Sequence, residues 1–420
     1  MTRPPRIAIF GLLGSGNLGN HGSFDAMLQF LRKEHPDSPI SCVCPGPEEV
    51  EKQYGIPSFS ITWYQPHRAG GSRLKTAALK MFGKVADLVR TPRWVRRYDI
   101  VIVPGMGVLE TTMQLRPWGW PYALFLVFFS ARIFGAKTAL ISVGANVARE
   151  RAIRWLFVGT ARNATYRSYR DAYSRDAMRQ MGLDTSRDEI YPDLAFALPL
   201  PARPEAPVSS GPSLRTVGLG VMAYRGTNAD RARSEQIYTS YVEKMIEFSR
   251  WLVDEGYRIQ LLTGDPSDEA VVTAVVEDLR RTRPELADAR LVREPAETLG
   301  ELMEQLTGVD LVVASRYHNV LSALKLSKPT ISISYATKND ILMEGMRLAE
   351  FRQPIQSLDV QRLTEQVRAL EARASRLESD MHDKNAEYVE QLEQQNAVLT
   401  ATLFGSGRTG SGRTATRGRA

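Results

Sequence analysis

Hydrophobic and polar positions along this chain alternate between two periods. Short β-branched runs, too brief for helices, recur at 6–12, 40–43, 99–103, 138–143, 164–167, 216–222, 258–263, 310–314 and 330–334, with weaker ones at 189–191 and 289–292. Continuous apolar runs of this length read as strands covered on both faces. Between them, apolar residues return at helical spacing over 24–33, 121–132, 153–163, 239–255, 269–281 and 298–306. Strand and helix alternate in both halves, which predicts parallel sheets flanked by helices. The class is α/β, with two doubly wound Rossmann-like domains facing a cleft and C-terminal helices after them. The expected boundaries are 1–198 for the first domain, 199–213 for a Pro/Ala/Ser-rich linker, 214–358 for the second domain and 359–404 for the helices. A disordered basic tail follows over 405–420.

The strand ends carry the candidate chemistry. After the first strand comes a glycine-rich turn, Gly14 to Ser23, holding Gly16, Asn17, Gly19, Asn20 and His21, with Ser23 as the expected cap of a helix from Phe24. Its glycine spacing is not the dinucleotide fingerprint, so NAD is not supported. Later strands run into Gly105 and Gly107 and into Gly144. The strand at 310–314 gives way to Ser315, Arg316, Tyr317 and His318 and then to a helix. A strand that ends where a helix begins leaves free N–H groups and a positive dipole end at the sheet edge, where open α/β sheets bind anions. Arg316 can grip a carboxylate or phosphate with two bonds, and His318 can exchange a proton near neutral pH.

Composition narrows the setting. The chain has 420 residues, 43% hydrophobic and 24% charged, enough for two cores in an ordinary globular protein. Cys42 and Cys44 are too few for a disulfide framework and lack zinc-ligand spacing, so no metal is expected. No apolar stretch precedes the first strand as a secretion signal would, which suggests a cytoplasmic home. The run at 121–132 is short of the roughly 20 residues that span a bilayer. The net charge of +7 is diffuse except in the tail and in a basic helical stretch from Arg73 to Arg97, where Met81, Phe82, Val85 and Leu88 lie among the cations. This stretch reads as a solvated helix with one buried face or as a peripheral contact with an anionic inner-membrane surface. No nucleic-acid motif accompanies the charge. The apolar recurrence over 360–403 reads as helices returning across both domains, or as a coiled-coil seam joining a homo-oligomer.

Assembled in order, these motifs resemble the polysaccharide pyruvyl transferase family over about residues 6–351. The resemblance rests on Gly16-Asn17-Leu18-Gly19-Asn20, Pro104-Gly105-Met106-Gly107, Ser142-Val143-Gly144, and Arg170-Asp171 followed by Ser174. It continues through Asp193-Leu194-Ala195-Phe196 and Ser315-Arg316-Tyr317-His318 to Pro329, Tyr335 and Lys338. Asn20, Met106 and Tyr317 stand where the family often has Asp, Gly and Leu. The resemblance implies a fold like that of glycosyltransferases with paired Rossmann-like domains. It also implies transfer of pyruvate from phosphoenolpyruvate, a co-substrate rather than a cofactor, onto two hydroxyls of a sugar to give a cyclic ketal. His318 is then the expected general acid/base, with Arg316 beside it. Arg170, Arg316, Ser315 and Lys338 are expected on the donor. Gly16, Asn17, Gly19, Asn20, Gly105, Gly107 and Gly144 are expected as acceptor or loop contacts. The acceptor would be a cell-surface glycan or glycolipid. Two other functions fit the same architecture: a nucleotide-sugar glycosyltransferase and a non-catalytic scaffold of a glycan pathway.

Overall fold

The computed structural model describes residues 3–14, 16–64, 73–111, 115–202 and 215–405. Most of the expected linker and basic tail lie outside these residues. In chain order the first half runs β1 (Ile7–Phe10), α1 (Leu18–Glu34), β2 (Ile40–Cys44), α2 (Pro47–Tyr54), β3 (Ser58–Ser60), α3 (Arg73–Val95), β4 (Ile100–Pro104), α4 (Trp120–Phe134), β5 (Lys137–Val143), α5 (Arg151–Asn163), β6 (Tyr166–Tyr169), α6 (Ala172–Gln180) and β7 (Glu189–Ile190). A 3-10 turn at Leu194–Ala197 follows. The second half runs β8 (Thr216–Gly220), α7 (Ser234–Asp254), β9 (Arg258–Leu262), α8 (Glu269–Thr282), α9 (Pro284–Arg290), β10 (Leu291–Arg293), α10 (Leu299–Thr307), β11 (Leu311–Ala314), α11 (Tyr317–Lys325), β12 (Thr330–Ser334), α12 (Thr337–Gly345) and β13 (Arg352–Pro354). Helices α13 (Val360–Ala372) and α14 (Ala374–Leu399) come last.

The strands form two sheets, ordered β3-β2-β1-β4-β5-β6-β7 and β10-β9-β8-β11-β12-β13. Every pairing among them is parallel. Strands β1, β4, β11 and β12 are buried along their whole length, as the continuous apolar runs require. In both sheets the winding reverses beside the first strand, between β1 and β4 and between β8 and β11, and a crevice opens at the carboxyl ends there.

Two expectations change. Helix α1 starts at Leu18, not Phe24, and its cap is Asn17 rather than Ser23: the Asn17 side chain accepts from the Gly19 and Asn20 N–H groups. The glycines read as a loop lie inside the helix because its first turns press on the second domain. A β-carbon on Gly22 would fall 2.3 Å from Leu299 of α10. Helix α3 does not bury an apolar face. Gly83, Asp87, Thr91 and Val95 point inward, while Met81, Phe82, Val85, Leu88 and Val89 stand exposed.

Helix α14 crosses back onto the first domain. Strand β5 carries an irregularity between Leu140 and Val143, with Ser142 at φ 48°. Gln395 of α14, fully buried, donates to Ser168 Oγ at 2.8 Å and Ser142 Oγ at 3.1 Å. Asn385 of the same helix donates to the Leu324 and Lys325 carbonyls at the end of α11. One helix thereby grips both domains.

Candidate active site

Three helix N-termini meet between the domains. Helix α1 comes from the first, and α11 and α12 from the second. Asn17 caps α1, and Asn20 donates to the Leu12 carbonyl, which draws the turn tight. His21 lies behind this turn, accepting from the Gly14 N–H at 3.2 Å and meeting the Tyr54 hydroxyl at 3.2 Å. Burial lowers its pKa, and it holds the loop rather than facing the cavity. His318 and Lys338 each occupy the second position of their helix, α11 and α12. They line one cavity with Asn17, Asn20, Arg170 and Arg316.

The first sheet supplies the counter-charge. After β4 the chain turns through Gly105 and Met106, both at positive φ, where a β-branched residue would be strained. This turn brings Glu110 under Arg170, which follows β6, and the two side chains form a buried ion pair. Gly107 and Gly144 leave room for that pair, since a β-carbon at either would fall within 2.6 Å of the Glu110 carboxyl group. Asp171 caps α6 through the Ser174 N–H at 2.6 Å and lies 3.4 Å from Arg170 Nε. Lys338 Nζ stands 3.7 Å from Glu110 on its other side. Both cations also lie over the Tyr317 ring, Arg170 at 5.1 Å and Lys338 at 5.5 Å.

These neighbours set the protonation states. Burial, aided by Lys338 and Arg170, pushes the His318 imidazole down from 6.5 to about 3, so it is neutral near pH 7. Burial opposes ionisation of Glu110, but Arg170 and Lys338 outweigh it and hold its carboxyl below the usual range. Burial likewise opposes the Lys338 charge, and Tyr335 and Glu110 more than restore it. Asp193, buried behind Tyr317, is pushed up by burial against the pull of Arg170.

Two predicted donor contacts have partners within the protein. Arg316 lines the cavity, but its Nε and Nη2 donate to Asp268 at 2.9 and 2.5 Å, so the two-bond grip expected for a ligand is spent on a fully buried carboxylate. Ser315 is in the core, against the Tyr241 hydroxyl at 3.0 Å, and does not line the cavity. Of the five predicted glycines, Gly107 lines the cavity while Gly16, Gly19, Gly105 and Gly144 do not. No motif assigned a role to Glu110 or Asp268, and Tyr335 stood only among the residues of the family resemblance. The only signal for them was a polar residue just beyond a strand end.

The family described as polysaccharide pyruvyl transferase matches residues 17–337, from the cap of α1 to the first residue of α12. The chain belongs to this family. The polysaccharide pyruvyl transferase match thus takes in β6 and β11, the strands that carry Arg170, Arg316 and His318 to the cavity, and β4, which precedes the Glu110 partner of Arg170. No curated protein matches the sequence. Among solved structures the chain is similar to the S. aureus MnaA–UDP co-structure, with 11% identity, 96% of this chain and 98% of that one covered, and a TM-score of 0.59. It is also similar to Anabaena Alr3699/HepE in complex with UDP and glucose, with 12% identity, 96% and 100% covered, and a TM-score of 0.55. UDP-GlcNAc 2-epimerase from Methanocaldococcus jannaschii gives 12% identity, 86% and 91% covered, and a TM-score of 0.55. At these identities the likeness is one of fold, the paired-domain architecture of nucleotide-sugar enzymes.

Proposed function

We propose that this pyruvyl transferase family member moves pyruvate from phosphoenolpyruvate onto two hydroxyls of a sugar in a glycan or glycolipid. The observation that supports this most is a neutral histidine held between Lys338 and Arg170 where three helix N-termini converge. Arg170 and Lys338 share the Glu110 carboxylate, and the helix N-termini beside them offer N–H groups suited to a small anion with a carboxylate and a phosphate.

Anion binding next to His318 raises its pKa, because the ligand's charge offsets Lys338 and Arg170. Once protonated, the imidazolium gives its proton to the methylene carbon, which becomes methyl, and the ring then takes the proton of the first sugar hydroxyl as its oxygen bonds to the enol carbon, so His318 ends as it began. The carbon–oxygen bond to phosphate next breaks with its electron pair on the phosphate, beside Lys338. The second hydroxyl closes the ketal and gives up its proton to the departing phosphate. The sum is phosphoenolpyruvate plus a diol giving a ketal and inorganic phosphate.

Thermal unfolding with phosphoenolpyruvate and, separately, with UDP tests the donor. Phosphoenolpyruvate should raise the melting temperature of wild type and of His318→Gln, while only wild type releases phosphate with acceptor present. Stabilisation by UDP alone would overturn this reading in favour of a nucleotide-sugar enzyme.

A further inference from the structure

The outer face of α3, α4 and α5 is built for something other than water. Helix α3 packs on α4 and α4 on α5, so the three lie side by side along one face of the first sheet. Nine of the fourteen large apolar side chains exposed among the described residues belong to these helices. On α3 the exposed stripe recurs at i, i+4 and i+7 from Met81, the spacing by which an amphipathic helix buries one face, yet this face points outward. Ile133 is 62% exposed on α4, and Trp155 is 65% exposed on α5. Scattered apolar residues need no explanation, but nine gathered on three adjacent helices do.

The charge around the patch identifies its counterpart. The three helices carry ten basic residues and one acidic residue, Asp87. Asp87 is buried, bonded to the Trp63 N–H at 2.9 Å, so the outward face shows positive charge only. Between α4 and α5 lies an open groove of about 660 Å³, lined by Phe125, Phe129 and Trp155 together with Arg132, Arg151 and Arg154. Aromatic walls with guanidinium groups among them match the boundary between phosphate headgroups and acyl chains. Among the described residues no helix is long and apolar enough to cross a membrane, so contact would be in the plane of the surface.

We propose that the α3–α4–α5 face docks on an anionic lipid bilayer, its apolar stripe at the acyl boundary and its lysines and arginines at the headgroups. The proposal does not depend on which donor the cleft takes. Full-length protein is sedimented with vesicles of phosphatidylcholine alone and with vesicles that also contain phosphatidylglycerol. Wild type should pellet with the second kind, and added salt should release it. Phe82→Glu with Leu88→Glu should reduce partitioning at least tenfold, with the melting temperature unchanged. Lys80→Gln and Arg93→Gln should each weaken it by about fivefold. Equal behaviour toward the two vesicle types, or a Phe82→Glu/Leu88→Glu variant that folds and binds like wild type, would overturn the proposal. So would wild type that ignores vesicles and runs as a dimer on light scattering, which would make this face a contact between copies of the chain.

Discussion

Gly19 lies directly beneath the His318 ring, so closely that a β-carbon on Gly19 would fall 1.7 Å from Cε1 and 1.8 Å from Nδ1. One residue belongs to the first domain and the other to the second. Their contact brings the α1 N-terminus against the imidazole, and only a residue without a side chain permits it.

Gly19→Ala should therefore separate site geometry from stability. The added methyl must displace the imidazole or part the domains, and kcat/KM should fall by about 100-fold, the cost of a misplacement near 1 Å. The helix itself gains from alanine, by up to about 1 kcal/mol. Steady-state kinetics beside thermal unfolding checks this, and a proportional loss of both would contradict it.

Arg316→Ala should cost more stability than a surface arginine does. Asp268 would remain buried without its partner, at about 3–5 kcal/mol for a broken buried pair. Adding Asp268→Ala should recover much of the loss. A double-mutant cycle in urea measures the coupling, and simple additivity would show that the pair contributes little.

The pH dependence follows from His318. Its folded imidazole titrates at about 3 against 6.5 ordinarily, so between these values the unfolded chain binds the extra proton. Stability from this group is present above 6.5 and lost as pH falls toward 3. Glu110, held below its ordinary 4.5, adds a loss of the same sign at lower pH. His318→Gln should flatten the decline in unfolding free energy between about pH 6.5 and 4.5 and leave the steeper acid limb. In the same window, donor binding should take up a proton, measurable by calorimetry in buffers of different ionisation enthalpy.

Gln395→Leu should destabilise the chain by about 1–3 kcal/mol, because the serine hydroxyls at the β5 irregularity lose their buried partner. Urea unfolding gives the magnitude. Donor binding should weaken too, since Gly144 and Arg170 follow the strands that Gln395 joins.

The doubly wound sheets were legible because buried parallel strands leave continuous apolar runs that nothing else explains. Arg316 and His318 were legible as well, since the change of period at Ser315 marks a strand–helix edge. The partners of those residues were not. Glu110 and Arg170 are 60 positions apart, and Arg316 and Asp268 are 48 apart. Local pattern carries no trace of such pairings. The start of α1 was missed for a related reason: Gly19 and Gly22 look like loop residues until His318 and Leu299 are placed against them. Helix α3 misled in the opposite direction, because periodicity shows that a helix has an apolar face but not which way that face points.

The Gln395 bridge also has a consequence in time. Ser142 and Ser168 precede it by 253 and 227 residues. At about 5–20 residues per second, a ribosome makes those serines roughly ten to fifty seconds before the glutamine that joins them. During that interval the first sheet has emerged while its β5 irregularity still opens onto water. The seam closes only when α14 arrives, so the cleft is the last part of the molecule to be set. A nascent chain halted before α14 would carry every cleft side chain without the helix that brings the two halves into register.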